Sequence, residues 1–245
     1  MSVGIDRIER MFEYNGMSTP ARVDELRERI RSMQAVESPS ARLPTRPDLA
    51  QLLPGGSLRA GVSYRVDGST SLLFAALSEA SQQGGWCALV GWPHLGIEAM
   101  DAAGLVSERT ALVPMPGERW MSVVSALSEA MPLVAVRMPA TARVSSAEAA
   151  RLAARLRERG STVLLAGPGS AAWPQLEASI QVQRFVWTGL GPGHGVLRGQ
   201  IAEVTVRDRS GRLRSGRVRC AGVGAELSVG FASLSPDRSL AVMSA

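Results

Sequence analysis

The run from Gly61 to Leu77, GVSYRVDGSTSLLFAAL, has the order of a phosphate-binding P-loop: a strand, a tight loop, then a helix. Aligned on the pattern G-x-x-x-x-G-K-[ST], Gly68 takes the second glycine and Thr70 the hydroxyl that would meet magnesium. Ser63 stands at the first-glycine position, Asp67 just before Gly68, and Ser69 where the lysine belongs. That lysine matters because its ammonium reaches the β- and γ-phosphates and offsets their charge, which a serine hydroxyl does not do. All 27 basic residues are arginine, a bias that codon usage accounts for, so no lysine elsewhere substitutes. The segment Ser63, Asp67, Gly68, Ser69 and Thr70 therefore reads as the frame of a phosphate loop without its chemistry.

Other reactive residues are sparse. His94 and His194 have no second ligand at metal-binding spacing, and no serine–histidine–acid or paired-carboxylate pattern stands out, so no metal site and no hydrolytic site is expected. Cys87 and Cys220 are too few for a disulfide framework, and Cys87 sits in an apolar strand pattern that reads as core. The glycines of Gly189–Gly195 invite an anion-loop reading, but no helix follows to add its dipole. A mobile turn between strands is the better account.

Charge is distributed unevenly. Residues 1–50 carry 8 Arg against 8 acids and residues 51–180 carry 10 against 10, whereas residues 181–245 carry 9 against 4, so the net charge of +5 lies in the last quarter. Arg198, Arg207, Arg209, Arg212, Arg214, Arg217 and Arg219 belong to it. In a hairpin, alternating arginines share a face that grips phosphates without reading sequence. An acidic partner, or solvent alone, are the alternatives. Phe185 and Trp187 share one strand face, and one of them is a candidate partner anchor; packing on a neighbouring helix is the other reading. Trp92 and Trp173 also fall near strand or loop ends, where partly exposed indoles favour interfaces.

These residues need a scaffold, and the hydrophobic pattern supplies one. Strands are predicted at Arg59–Tyr64, Trp86–Val90, Ala111–Val113, Leu133–Val136 and Thr162–Ala166, the last four as short, nearly continuous apolar runs typical of strands buried on both faces. Helices fall between them at Thr70–Gln82, Ile97–Ala103, Glu118–Met131 and Ser146–Arg159, the last with a serine N-cap and Gly160 as its stop. Such alternation implies an α/β fold with a mostly parallel sheet. After Trp173 the pattern changes to antiparallel strands at Ile180–Val186, Ile201–Val206 and Leu213–Cys220, the last reached through the turn Arg209-Ser210-Gly211. In front, Ser18-Thr19-Pro20 starts an amphipathic helix to about Gln34, with Val23, Leu26, Ile30 and Met33 on one face, suited to docking on its own domain or on another subunit. Residues 38–47 hold three prolines and read as a linker. The expected domains are residues 1–48 (separate helix and linker), 49–221 (α/β domain) and 222–245 (a tail poorly ordered without a partner). Residues 1–16 are either an arm or an upstream start before Met17. The N-terminus lacks the order of a signal peptide and no apolar run is long enough to span a membrane, so a cytoplasmic protein is expected.

The order LLPGG-x-L-R-x-G, strand, loop and helix resembles the opening of a RecA-like core, and the similarity continues for about 150 residues. GGWCALVGWPHLGIEAMDAAGL is similar to RecA's second strand and following helix, and PLVAVRMP takes the place of the Walker B strand. With the segment RFVWTGLGPGHGVLRG, residues 50–220 most resemble the ImuA-prime family, the RecA-like accessory proteins of actinobacterial mutasomes, related also to SulA. Carried over by position, Arg137 stands for the Walker B aspartate and Pro93 for the catalytic glutamate, so the resemblance implies a pseudo-ATPase with no bound cofactor. The places of RecA's DNA loops, between Pro139 and Ser145 and between Gly167 and Glu177, are too short for long mobile loops. The family implies an adaptor of DNA-damage-induced mutagenesis that contacts the Y-family-like protein ImuB and, through it, an error-prone polymerase in translesion synthesis. Weak non-specific DNA binding and self-association are further expectations. A RecA-like NTP-binding protein with a reorganised phosphate site, or a SulA-like division inhibitor acting on FtsZ, are the alternatives.

Overall fold

The computed structural model describes residues 42–191 and 194–222. The helix expected at 19–34, residues 1–16 and the tail from 223 onward lie outside the described residues. Eight strands form the main sheet: β3 (Ser63–Asp67), β4 (Cys87–Val90), β5 (Thr110–Val113), β6 (Leu133–Arg137), β7 (Thr162–Ala166), β8 (Ala178–Gly191), β9 (His194–Asp208) and β10 (Leu213–Gly222). Their order is β10-β9-β8-β3-β7-β6-β4-β5. Strands β3 to β8 run parallel, and β9 and β10 continue the sheet antiparallel. This is the mostly parallel, RecA-like α/β architecture with antiparallel C-terminal strands.

Strands β4, β6 and β7 are apolar runs because both of their faces are covered. Helices α2 (Thr70–Gln82) and α3 (Ile97–Ala102) lie on one face, and α4 (Trp120–Ala130) and α5 (Ser146–Arg159) on the other. Leu72, Leu73, Phe74, Leu77, Leu89, Leu133 and Leu164 pack into the first layer, and Val90, Val124, Val136, Leu152, Leu156 and Leu165 into the second. Each such side chain contributes roughly 1.5–3 kcal/mol by leaving water. Helix α2 is buried nearly all round, consistent with its run LLFAAL. Helix α5 starts in a capping box: Ser145 Oγ accepts from the Glu148 N–H at 3.2 Å, while the Ser145 N–H donates to Glu148 Oε2 at 2.9 Å. It stops at Gly160, whose φ of 65° is left-handed.

Four details differ from the sequence reading. Residues 42–48, at the end of the supposed linker, are packed: β1 (Arg42–Leu43) pairs with β2 (Leu58–Arg59), and α1 (Pro47–Ala50) buries Leu49 and presents Asp48 Oδ2 to the Arg219 N–H at 3.0 Å. The strand expected at Arg59–Tyr64 is two pieces, β2 and β3, broken at Gly61. Trp92 and Trp173 are buried, 8% and 6% exposed, rather than presented at an interface. The glycine segment after Thr188 does connect two strands, but the strands extend further into it than expected: β8 runs to Gly191 and β9 begins at His194, with Pro192 and Gly193 outside the described residues. Gly189, at φ +91°, permits this because a Cβ there would strike the Val196 carbonyl and the Arg198 backbone.

Candidate functional site

Ligands of open α/β sheets bind at the carboxyl ends of the parallel strands, so the expected phosphate loop is considered first. In a P-loop the residues between the two glycines leave the sheet and turn successive N–H groups toward the phosphates. Here they do not leave it. Ser63, Tyr64 and Arg65 pair with Val163, Leu164 and Leu165 of β7, and Tyr64 through Asp67 pair with Ala178 through Gln181 of β8. Ser63, at the first-glycine position, is buried, as are Tyr64 and Val66. The turn into α2 is two residues long, Gly68 at φ +88° and Ser69. The Ser69 hydroxyl accepts from the Leu72 N–H at 3.1 Å, so the residue at the lysine position is the N-cap of α2. Thr70 is exposed. Asp67 is held by Arg65, Nε to Oδ2 2.7 Å, and its Oδ1 accepts from Ser170 Oγ at 3.2 Å. The expected loop is thus a strand and a cap, because the side chains of Tyr64 and Val66 are buried in the core, the Tyr64 hydroxyl accepting from the Arg59 N–H at 3.0 Å.

The other two expected positions lie at the same edge. Arg137 ends β6 exposed to solvent and forms no ion pair among the described residues. Its backbone is wedged between neighbours: a Cβ on Gly91 would lie 2.7 Å from the Arg137 carbonyl oxygen, and one on Gly167 would lie 2.6 Å from that of Met138. Pro93 follows β4 on the surface, next to buried Trp92, and His94 is exposed. Both places expected for DNA loops are compact. Ala142 N–H closes a turn onto the Pro139 carbonyl at 3.0 Å, and residues 168–172 form a 3₁₀ turn whose Ser170 is buried.

The basic segment is divided by register. On one face of β8–β9–β10 the rows read Ser179–Arg207–Leu213, Gln181–Thr205–Ser215, Arg184–Glu203–Arg217 and Val186–Ile201–Arg219. The opposite face carries Ile180, Ala202, Val204, Val206 and Val218 into the core. Arg207, Arg217 and Arg219 therefore share a face as expected, joined by Arg184. Arg214 does not: it lies on the core side, donating from Nη1 to the Leu53 carbonyl at 2.9 Å. Arg209 and Arg212 sit in the turn, organised by Asp208 Oδ1, which accepts from the Ser210 N–H at 2.9 Å and the Arg212 N–H at 3.0 Å. Arg198 is exposed in the outer part of the hairpin beside Gly189. Glu203 is gripped from both sides, by Arg184 Nη2 at 2.9 Å and Arg217 Nη2 at 3.0 Å. The Arg184 hydrogen bond chiefly, then that of Arg217, holds its carboxyl below the usual range against the opposing effect of burial. Phe185 and Trp187 come together, ring centroids 6.1 Å apart, with Phe185 packed on the core and Trp187 50% exposed.

Comparison with known proteins places the first of these regions. A family model described as the MT3502 N-terminal domain matches residues 51–175, just over half of the chain. The chain belongs to the MT3502 N-terminal domain family. The chain is also 34% identical over 116 residues to the uncharacterized protein Rv3395c of Mycobacterium tuberculosis, a match covering 46% of this chain and 56% of that protein. The chain thus spans little more than half the length of that relative.

The MT3502 N-terminal domain runs from Gln51, just after α1, through β3, Ser69 and Arg137, to Gln175, three residues before β8. The basic face on β8–β10 lies beyond the matched stretch. Arg184 and Glu203 were missed because their partners depend on inter-strand register, including the shift between Val182 and Arg184, and their alternation alone does not reveal it. No helix among the described residues is long and apolar enough to cross a membrane.

Proposed function

We propose that the protein is a non-catalytic, cytoplasmic RecA-like accessory protein of DNA-damage-induced mutagenesis. It acts in translesion synthesis by contact with ImuB and, through ImuB, with an error-prone polymerase. The observation that carries this reading is the conversion of the phosphate-loop frame into structure: residues 63–67 are all paired into the sheet, Tyr64 and Arg65 on both sides, and Ser69 caps α2. A RecA-like core kept intact around such an edge serves as a platform rather than a motor. Arg137 and Pro93, at the places of the Walker B aspartate and the catalytic glutamate, support the same reading, since phosphoryl transfer needs phosphate cradle, metal ligand and oriented water together. The resemblance of residues 50–220 to the ImuA-prime family supplies the partner, and the C-terminal strands with Trp187 and the tail supply the surface for it.

Two measurements test the reading. Titration calorimetry with ATP and magnesium is expected to give no binding heat; micromolar binding would replace the adaptor by an NTP-binding protein. Affinity capture from DNA-damaged cells is expected to recover ImuB, and truncation before Gly222 to reduce that recovery. Capture of FtsZ without ImuB would overturn the proposal in favour of a division inhibitor.

A further inference from the structure

From the outer face of β8–β9–β10 we infer a second, independent property: this face binds the sugar–phosphate backbone of nucleic acid without reading sequence. Among the described residues its four rows place Arg184, Arg207, Arg217 and Arg219 on one side of the sheet with one acid, Glu203, while Asp67, beside Gln181 on β3, is held by Arg65. With strands ~4.8 Å apart and a rise of ~3.4 Å per residue, Arg184 and Arg217 flank Glu203 at roughly 10 Å from each other. Arg207 lies about 14 Å further along β9. The Arg184 and Arg217 side chains are 66% and 49% exposed while Glu203 is 17% exposed, so the cations stand outward and the acid lies beneath them. Arg207 forms no ion pair among the described residues. Between the charged rows lie uncharged donors, Gln181, Thr205 and Ser215, of the kind that contact phosphate oxygens.

The composition of the face separates nucleic acid from an acidic protein segment. Protein interfaces are centred on aromatic and other large apolar anchors, and nucleic-acid interfaces are polar and strongly positive. The exposed aromatic of this region, Trp187, shares the opposite face with Phe185. Among the described residues the four rows carry no aromatic side chain: they offer arginine, hydroxyl and amide groups, with exposed Leu213 at one end and half-buried Val186 and Ile201 in the last row. The inference does not rest on the adaptor reading: the face lies on different strands from the Ser69 edge, and the assay below uses neither ImuB nor nucleotide.

The test is fluorescence anisotropy of the full chain with a labelled single-stranded oligonucleotide, and with its duplex, over a salt series. Replacing Arg184, Arg207 and Arg217 together by Gln removes three phosphate contacts. At about 0.7 per contact for single strands, this lowers the slope of log K against log salt by about 2 and weakens binding by about 100-fold near 0.1 M salt. The pair R209Q/R212Q, in the turn off the face, is expected to leave the slope nearly unchanged. E203Q releases two arginines from their acid and is expected to strengthen binding, an outcome that misfolding cannot imitate. The inference is overturned if the wild-type chain shows no salt-sensitive retention, if the turn pair loses as much slope as the triple variant, or if E203Q weakens binding. It is also overturned if a polyglutamate peptide binds through this face and DNA does not.

Discussion

Substitution of Ser69 tests whether the old lysine position is a vacated catalytic place or an occupied structural one. The hydroxyl accepts from the Leu72 N–H at 3.1 Å, and the Leu72 side chain is fully buried, so water is a poor replacement for the cap. Ser69→Ala is expected to cost about 1 kcal/mol, within the 0.5–2 kcal/mol typical of N-caps. Ser69→Lys loses the same bond and sets a cation at the positive end of α2, adding about 0.3–1 kcal/mol. Ser69→Asp keeps an acceptor there and is expected to stay within about 0.5 kcal/mol of wild type. For a chain of this size each 1 kcal/mol moves the melting temperature by about 2–4 °C, so the order Asp, Ala, Lys is resolvable by calorimetric or circular-dichroism melts. In parallel, Ser69→Lys is expected not to create binding of ATP and magnesium, because restoring the ammonium does not release residues 63–67 from the sheet. Tight nucleotide binding by that variant, or equal stability of the alanine and aspartate variants, would refute the reasoning.

Three further outcomes are expected. Glu203 is held below its ordinary range in the fold, so its contribution to stability is present above its unfolded value near pH 4.5 and is lost as pH falls through the lower folded value; E203Q should flatten that acid limb in melts across pH 2–6. Burial pushes the Cys87 and Cys220 thiols up to about 12, so neither should react with a thiol reagent at pH 8 unless the fold opens, and stability should decline as pH rises from about 9 toward 12. Gly91→Ala places a Cβ 2.7 Å from the Arg137 carbonyl oxygen at φ +94°, and is expected to destabilise by more than 1 kcal/mol in urea unfolding, with the slope of the transition unchanged.

The sequence by itself determined the alternation of strand and helix. The helices Thr70–Gln82 and Ser146–Arg159 and the strand Thr162–Ala166 have the bounds read from it, because a cap, a stop glycine and an unbroken apolar run are local signals. It also determined that no lysine stands anywhere in the chain. Three things were decided by tertiary structure alone. Residues 63–67 pair as a strand rather than opening as a loop, because β7 and β8 flank them and Tyr64 and Val66 are needed in the core. Gly189 serves close approach within a hairpin rather than a turn, since only the neighbouring strand reveals what its missing side chain makes room for. The arginines of the last strands sort into an outer face and a core-side Arg214 bonded to the Leu53 carbonyl, because a shift of one residue in register exchanges the two faces. Local chemistry is written in the order of residues; which groups meet across a sheet is set by pairings between residues far apart in the chain.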